Sequence, residues 1–323
     1  MSLTVWCNRR FRPDAERMLQ EGLRGHHVII PGSATAADVA PVEDATGIEQ
    51  ADVAFGQPPV PPIVAHPRIR WVQVSSAGYT RYDTPEFMEG MRKRGTVFTT
   101  SSAVFADPCA QHVMAMMLSL ARQLPASLQD QWTDRSWHYR ERRYESDLLT
   151  GQTVLLLGFG SIARRLAELL GPFRCKIYAL RRQTRSVPGV HIVAEEDLTR
   201  VLPLADHIVS LLPDNERTRG WMNSRRLGCL KNGARFYNVG RGTTVDQRAL
   251  VEALQGGRLG SAYLDVTEPE PLPSDHPLWT APRCYITPHT AGGRRDQDEA
   301  TVRHFLDNFA AFEAGQAMRC QVV

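Results

Sequence analysis

The fold is most tightly restricted by the segment Thr153-Val154-Leu155-Leu156-Leu157-Gly158-Phe159-Gly160-Ser161-Ile162-Ala163, from which an amphipathic stretch continues to Leu170. The apolar run has the length of a strand, is stopped by glycine and is followed at once by helical periodicity. This reads as a buried strand turning sharply into a helix. Gly158 permits the tight turn. Gly160 lets backbone approach a ligand at the positive end of the helix, where amide hydrogens have no partner within the helix itself. Ala163 stands where the third glycine of such a turn can be replaced by alanine. A strand, a bare turn and a helix start in this order form a cradle for a pyrophosphate, and they belong to a parallel sheet covered by helices.

The alternation extends in both directions. Downstream, Lys176–Leu180, His207–Leu211, Ala234–Asn238, Gly260–Leu264 and Cys284–Ile286 read as strands separated by helices or turns. With Thr153–Leu157 they make a doubly wound nucleotide-binding domain. Upstream, Leu3–Cys7, His27–Ile30, Ala51–Phe55, Trp71–Ser75 and Val97–Thr99 read as strands, with helices at Pro13–Leu23 and Pro85–Lys93. That is a second parallel α/β sheet, and at 323 residues the chain is long enough for two domains. A long apolar helix is expected from Ala106 to Leu124, followed by an arm, Gln129–Ser146, that carries Trp132, Trp137, Tyr139 and Tyr144 among arginines. So many aromatics suit a surface that packs on a partner subunit or covers a cleft. The last expected helix, Arg294–Gly315, repeats Val302, Phe305, Leu306, Phe309 and Phe312 at helical spacing.

Composition excludes several function classes. The chain is 42% hydrophobic and 23% charged, as in ordinary globular proteins, and its net charge of +3 gives no strong field for nucleic acid or membrane. No run of 18 apolar residues occurs, so no membrane span is expected. Arg9 and Arg10 interrupt the N-terminus before a signal-length apolar stretch develops, and a cytoplasmic location is the expectation. The six cysteines are scattered without a CxxC pair, so neither a metal site nor a disulfide framework is expected.

In domains of this pattern the strand after the glycine-rich turn ends in an acid that bonds the adenosine ribose. Here it ends Tyr178-Ala179-Leu180-Arg181-Arg182, with Arg185 close behind. No carboxylate is present to repel a 2′-phosphate and guanidiniums are present to grip one, so NADP is expected over NAD.

Arg241, Glu270 and His289 carry the chemistry. Arginine offers a planar fork for a carboxylate, and a histidine tuned by a carboxylate can move a proton while a nicotinamide moves a hydride. They sit in Asn238-Val239-Gly240-Arg241-Gly242, Leu264-Asp265-Val266-Thr267-Glu268-Pro269-Glu270-Pro271-Leu272 and Thr287-Pro288-His289. These motifs, in order behind the glycine-rich turn and with Trp71-Val72-Gln73-Val74-Ser75-Ser76-Ala77-Gly78 upstream, resemble those of D-isomer-specific 2-hydroxyacid dehydrogenases, most of all the glyoxylate/hydroxypyruvate reductases. The resemblance covers nearly the whole chain.

It implies an α/β fold of two Rossmann-like or flavodoxin-like parallel-sheet domains. The dinucleotide-binding domain, residues 103–288, would be inserted into a substrate domain made of 1–102 and 289–323. By the same resemblance Arg241 contacts the carboxylate and carbonyl of a small 2-oxoacid, and His289 is the general acid/base. Glu270 orients His289, with Glu268 the neighbouring alternative. Backbone amides at Ser76, Ala77 and Gly78 would help hold the substrate carboxylate. Cofactor contacts would come from Gly158, Phe159, Gly160, Ser161, Ile162, Arg181, Arg182, Leu212, Pro213, Val239, Gly240, Asp265 and Gly292. Asp265 would face the nicotinamide amide, although a lone aspartate is more often a turn or helix cap. A homodimer is implied as well.

Two positions depart from the family pattern. Ala110-Gln111-His112 replaces the usual Ala-Glu-His, which removes an acid from the long helix and leaves His112 reading as a packed helix histidine. Gly240 precedes Arg241 where alanine is usual. The intact set of Arg241, Glu270 and His289 favours an enzyme over a non-catalytic NAD(P)-sensing protein on the same scaffold. Glutamate at position 270, where formate dehydrogenases carry glutamine, argues against formate. Phosphite or another small anion stays open as an alternative substrate.

Overall fold

In the computed structural model, which describes residues 2–35, 43–181 and 186–323, the paired strands of both sheets run parallel. The first sheet holds β1 (Thr4–Cys7), β2 (His27–Ile29), β3 (Val53–Gly56), β4 (Trp71–Val74) and β5 (Val97–Thr100), in the order β2-β1-β3-β4-β5. The order reverses between β1 and β3, the flavodoxin-like arrangement. β3 and β4 are buried along their whole lengths, which is why they read Val-Ala-Phe-Gly and Trp-Val-Gln-Val rather than alternating. Helix Pro85–Arg94 starts where the Thr84 side chain accepts a hydrogen bond from the Phe87 amide, and it stops at Gly95, whose φ is 66°. Helix Gln297–Glu313 packs on this sheet through Phe305, whose ring lies 4.1 Å from Phe55 and 5.1 Å from Trp71. Each such stacked pair contributes about 0.5–1.5 kcal/mol beyond the area it buries. The chain then returns along β5, with Thr99 opposite Gln321 in an antiparallel bridge.

The second sheet holds β6 (Thr153–Leu157), β7 (Lys176–Leu180), β8 (Val190–Val193), β9 (His207–Ser210), β10 (Ala234–Asn238), β11 (Leu259–Leu264) and β12 (Cys284–Ile286). Their order is β12-β11-β10-β9-β6-β7-β8, with the reversal between β6 and β9. This is the Rossmann order, extended by one strand, and its ligand crevice lies at the carboxyl ends of β6 and β9. The sequence does not announce β8: Val190-His191-Ile192-Val193 is a half-buried edge strand, too short and mixed for a periodic signal. Helix Ser161–Leu170 follows β6 and buries Ala163, Leu166 and Leu170.

By its internal contacts the chain divides into Met1–Phe105 with Gly293–Val323, and Ala106–Gly292. The second unit is therefore inserted in the first. The expected divisions after 102 and 288 fall a few residues earlier, and the difference matters at His289, which this division assigns to the inserted unit.

The long helix runs Ser102–Ala121, and by length and composition alone it could cross a bilayer. Ala110, Val113, Met117 and Ala121 are fully buried along one side, which packs into the protein, and Asp107 pairs with Arg165 at 2.6 Å. The aromatic arm contains two further helices, Leu124–Trp132 and Tyr139–Tyr144. Trp132, Trp137 and Tyr144 are 73%, 92% and 79% exposed.

Candidate active site

The inserted unit carries its candidate functional residues on loops at the carboxyl ends of its strands, and glycines let those loops meet backbone to backbone. Gly158, after β6, has φ 100° and would place a Cβ 3.2 Å from the Leu211 carbonyl oxygen, beyond β9. A Cβ on Gly240, after β10, would lie 2.8 Å from the Leu212 carbonyl oxygen. That close approach explains glycine where alanine is usual. A Cβ on Gly242 would overlap the Thr267 carbonyl group beyond β11.

Gly160 is different. Its backbone is extended, and a Cβ there would meet nothing of the protein within 4 Å. Neither conformation nor internal packing requires glycine at this place. The adjoining helix has no side-chain cap and no acid in its first turn. An open, side-chain-free approach to a helix N-terminus fits the pyrophosphate of a dinucleotide. Phe159 is nearly buried under the Arg164 guanidinium, 5.3 Å from its ring centre, and Ser161 and Ile162 open the helix. Leu180 ends β7, and the partly buried Arg181 follows, its amide donating to the Val193 carbonyl. Arg182 and Arg185 lie outside the described residues. Leu212 and Val239 are almost fully buried, Pro213 is exposed and Gly292 is partly buried.

His289 Nδ1 donates to Glu270 Oε2 at 2.8 Å, while Glu270 Oε1 accepts the Thr267 amide at 3.0 Å. Both side chains remain partly exposed, at 46% and 39%. Glu268 is not the partner: its amide and carbonyl both bond the Gln247 side chain, beside the cis bonds Glu268–Pro269 and Glu270–Pro271. The His289 amide donates to the carbonyl oxygens of Asp265 and Thr287, and its φ is 53°, a left-handed conformation uncommon outside glycine.

The carboxylate of Asp265, only 2% exposed, accepts the Thr287 hydroxyl at 2.6 Å, the Thr290 amide at 2.8 Å and the Ala291 amide at 2.9 Å. These are the bonds of a turn cap, and they fix the loop that carries His289. Thr287, Thr290 and Ala291 are absent from the sequence-derived site. Their only signal is a threonine beside Pro288, because a backbone amide leaves no mark in a sequence.

Arg241 donates to the Gly240 carbonyl at 2.7 Å and makes no ion pair among the described residues. Its own carbonyl is held by the Asn238 side-chain amide and the Thr244 hydroxyl. The guanidinium therefore keeps donors for an incoming anion. Asp130, Asp134 and His138 bring three possible metal-ligand atoms together on the aromatic arm, but Asp130 is already paired with Arg142 at 2.7 Å.

Within the other unit, Ser76, Ala77 and Gly78 follow β4. Gln57 Nε2 donates to the Ser75 and Ser76 hydroxyls at 3.2 and 3.0 Å, and the Ser76 hydroxyl donates to the Gly78 carbonyl. Asn8 in turn accepts the Gln57 amide at 2.8 Å. The turn is tied to β1 and β3 by buried polar bonds that the sequence did not reveal.

Residues 114–291 match the family described as D-isomer specific 2-hydroxyacid dehydrogenase, NAD binding domain. The chain is 32% identical to glyoxylate/hydroxypyruvate reductase B of Klebsiella pneumoniae (strain 342), over 75% of this chain and 74% of that protein. It is 28% identical to glyoxylate reductase of Pyrococcus furiosus, over 77% and 74%. A D-isomer specific 2-hydroxyacid dehydrogenase from Xanthobacter autotrophicus Py2, solved in complex with NADPH and MES, superposes with a TM-score of 0.81 at 27% identity, covering 100% of this chain and 98% of that one.

Proposed function

We propose that this chain, which belongs to the D-isomer specific 2-hydroxyacid dehydrogenase family, reduces a small 2-oxoacid such as glyoxylate or hydroxypyruvate to the D-2-hydroxyacid with NADPH. The observation that carries the reading is the bond between His289 and Glu270, in the same unit as Arg241, which makes no ion pair among the described residues. A nicotinamide cofactor, when bound, supplies the hydride. His289 commits Nδ1–H to Glu270, so Nε2 is the atom that gives its proton to the carbonyl oxygen as negative charge develops there. Arg241 offers two parallel N–H groups to the substrate carboxylate, which fixes the carbonyl carbon relative to the hydride donor. Ser76, Ala77 and Gly78 are assigned to the same carboxylate through their backbone amides. Asp265 is read first as the anchor of the His289 loop.

The absence of an acid at Leu180 and the presence of Arg181 support NADPH over NADH. A homodimer belongs to the same reading, supported by the exposed Trp132, Trp137 and Tyr144 of the arm.

A spectrophotometric screen tests the reading, following NADPH and NADH oxidation with glyoxylate, hydroxypyruvate, pyruvate and bulkier 2-oxoacids, and NADP reduction with phosphite. Turnover of small 2-oxoacids with NADPH is the expected result. Reduction of NADP by phosphite with no 2-oxoacid activity would transfer the site to small-anion oxidation.

A further inference from the structure

A polar chain that passes through the buried Tyr263 ends on the carboxylate that anchors the His289 loop. His112 Nε2 lies 2.5 Å from the Tyr263 hydroxyl, which lies 2.5 Å from the Thr287 hydroxyl, which lies 2.6 Å from Asp265 Oδ1. The His112 and Tyr263 rings are stacked, with centres 5.5 Å apart. Tyr263 is fully buried in β11.

The direction of every bond follows from counting hydrogens. Asp265 already accepts two backbone amides, from Thr290 and Ala291, and as a carboxylate it also accepts from Thr287. Thr287 has one hydroxyl hydrogen and spends it on Asp265. The contact between Thr287 and Tyr263 is therefore donated by Tyr263. Tyr263 also has one hydrogen, so its oxygen must accept from His112. His112 is left with a single allowed arrangement, with hydrogen on Nε2. Burial raises the Tyr263 hydroxyl above its ordinary pKa, which keeps it in the protonated form the chain needs.

We propose that His112 is a positioning residue for catalysis: its Nε2–H starts a one-way chain of donors through Tyr263 and Thr287 that holds Asp265, and with it the loop carrying His289, in place. The inference rests on the reading of His289 as proton donor. A ring merely packed against Tyr263 would need no particular tautomer and no donor. The chain also survives protonation of His112, because the imidazolium keeps hydrogen on Nε2. An acceptor-only or apolar group at 112 would leave the Tyr263 oxygen without its donor in a buried place, and the loop would lose one of its fixed ends.

Three measurements on the full chain test this. Nitrogen-15 NMR of histidine-labelled protein should show His112 protonated on Nε2 and not on Nδ1 at pH 8; the Nδ1–H tautomer overturns the proposal. His112→Leu should lower kcat for the best 2-oxoacid by roughly threefold to tenfold, the effect of one net hydrogen bond, with the NADPH dissociation constant unchanged. His112→Gln can donate from its amide and should restore most of that kcat. Equal losses in the Leu and Gln variants, or none in either at unchanged Tm, would reduce His112 to packing. If His112→Leu does not fold, Tyr263→Phe should bring the same loss of kcat, and parental kcat there overturns the proposal. The tautomer needs no substrate, so inactivity of the parent on every 2-oxoacid would fail the proposed function and still leave the chain of donors measurable.

Discussion

His289 and Glu270 meet at 2.8 Å, although they leave the sheet from different strands, β12 and β11. Each is held from behind: Glu270 by the Thr267 amide, and the His289 backbone by the Asp265 carbonyl. The imidazole is thus held through Nδ1, which under the proposed function leaves Nε2 as the nitrogen that exchanges a proton.

His289→Ala should lower kcat by about a hundredfold or more while leaving NADPH binding, read by fluorescence titration, near the parental value. Glu270→Gln keeps the shape but not the charge, and should fall between the two. A His289→Ala enzyme within a few-fold of parental kcat would remove His289 from proton transfer.

Arg241→Lys tests the fork. Lysine retains charge but presents a point rather than two parallel donors, so kcat/KM for the best 2-oxoacid should fall by roughly tenfold to a hundredfold. Near-parental values would give Arg241 a structural part, through the bond of its guanidinium to the Gly240 carbonyl.

Cofactor choice turns on Leu180 and Arg181. NADPH should exceed NADH in kcat/KM, and Leu180→Asp combined with Arg181→Ala should reverse the order, because the acid repels a 2′-phosphate and bonds a ribose diol instead. A parent that prefers NADH would make these arginines a solvated surface.

The thiols differ sharply in their expected response to pH. Burial pushes Cys7, Cys109 and Cys284 up to about 12. Burial acts on Cys320 too, but hydrogen bonds with His304, Ser102 and the Ala103 amide outweigh it and lower the thiol to about 7. The thiolate is the reactive form, so Cys320 should become alkylatable as pH rises through about 7, before Cys7, Cys109 and Cys284. Iodoacetamide labelling followed by peptide mass spectrometry across pH 5–9 measures this; half-maximal labelling of Cys320 only above pH 8.5 would contradict it.

Much of this architecture is legible in the sequence because parallel strands covered on both faces are continuous apolar runs. β6, buried from Val154 to Leu157, can be read to the residue for that reason, and the bounds of β7, β10 and the edge strand β12 are also those read from the sequence. β8 cannot, since its four residues, Val190-His191-Ile192-Val193, are too few and too mixed to stand out. The candidate catalytic residues are readable because arginine, glutamate and histidine sit in distinctive motifs. The choice between Glu268 and Glu270 is not, because both precede proline and only geometry separates them. His112 looks like core from its helix alone, for its partner Tyr263 lies 151 residues away.

Gly158, Gly240 and Gly242 press their loops against Leu211, Leu212 and Thr267, with no space for even a methyl group at the tightest contacts. The rim of the nucleotide-binding sheet is consequently one fused piece rather than a set of interchangeable parts. Transplanting a single loop from a relative would import a backbone path cut to fit different neighbours. Substrate range in this scaffold should therefore drift through side chains that project from the rim, while the rim itself is inherited whole or lost.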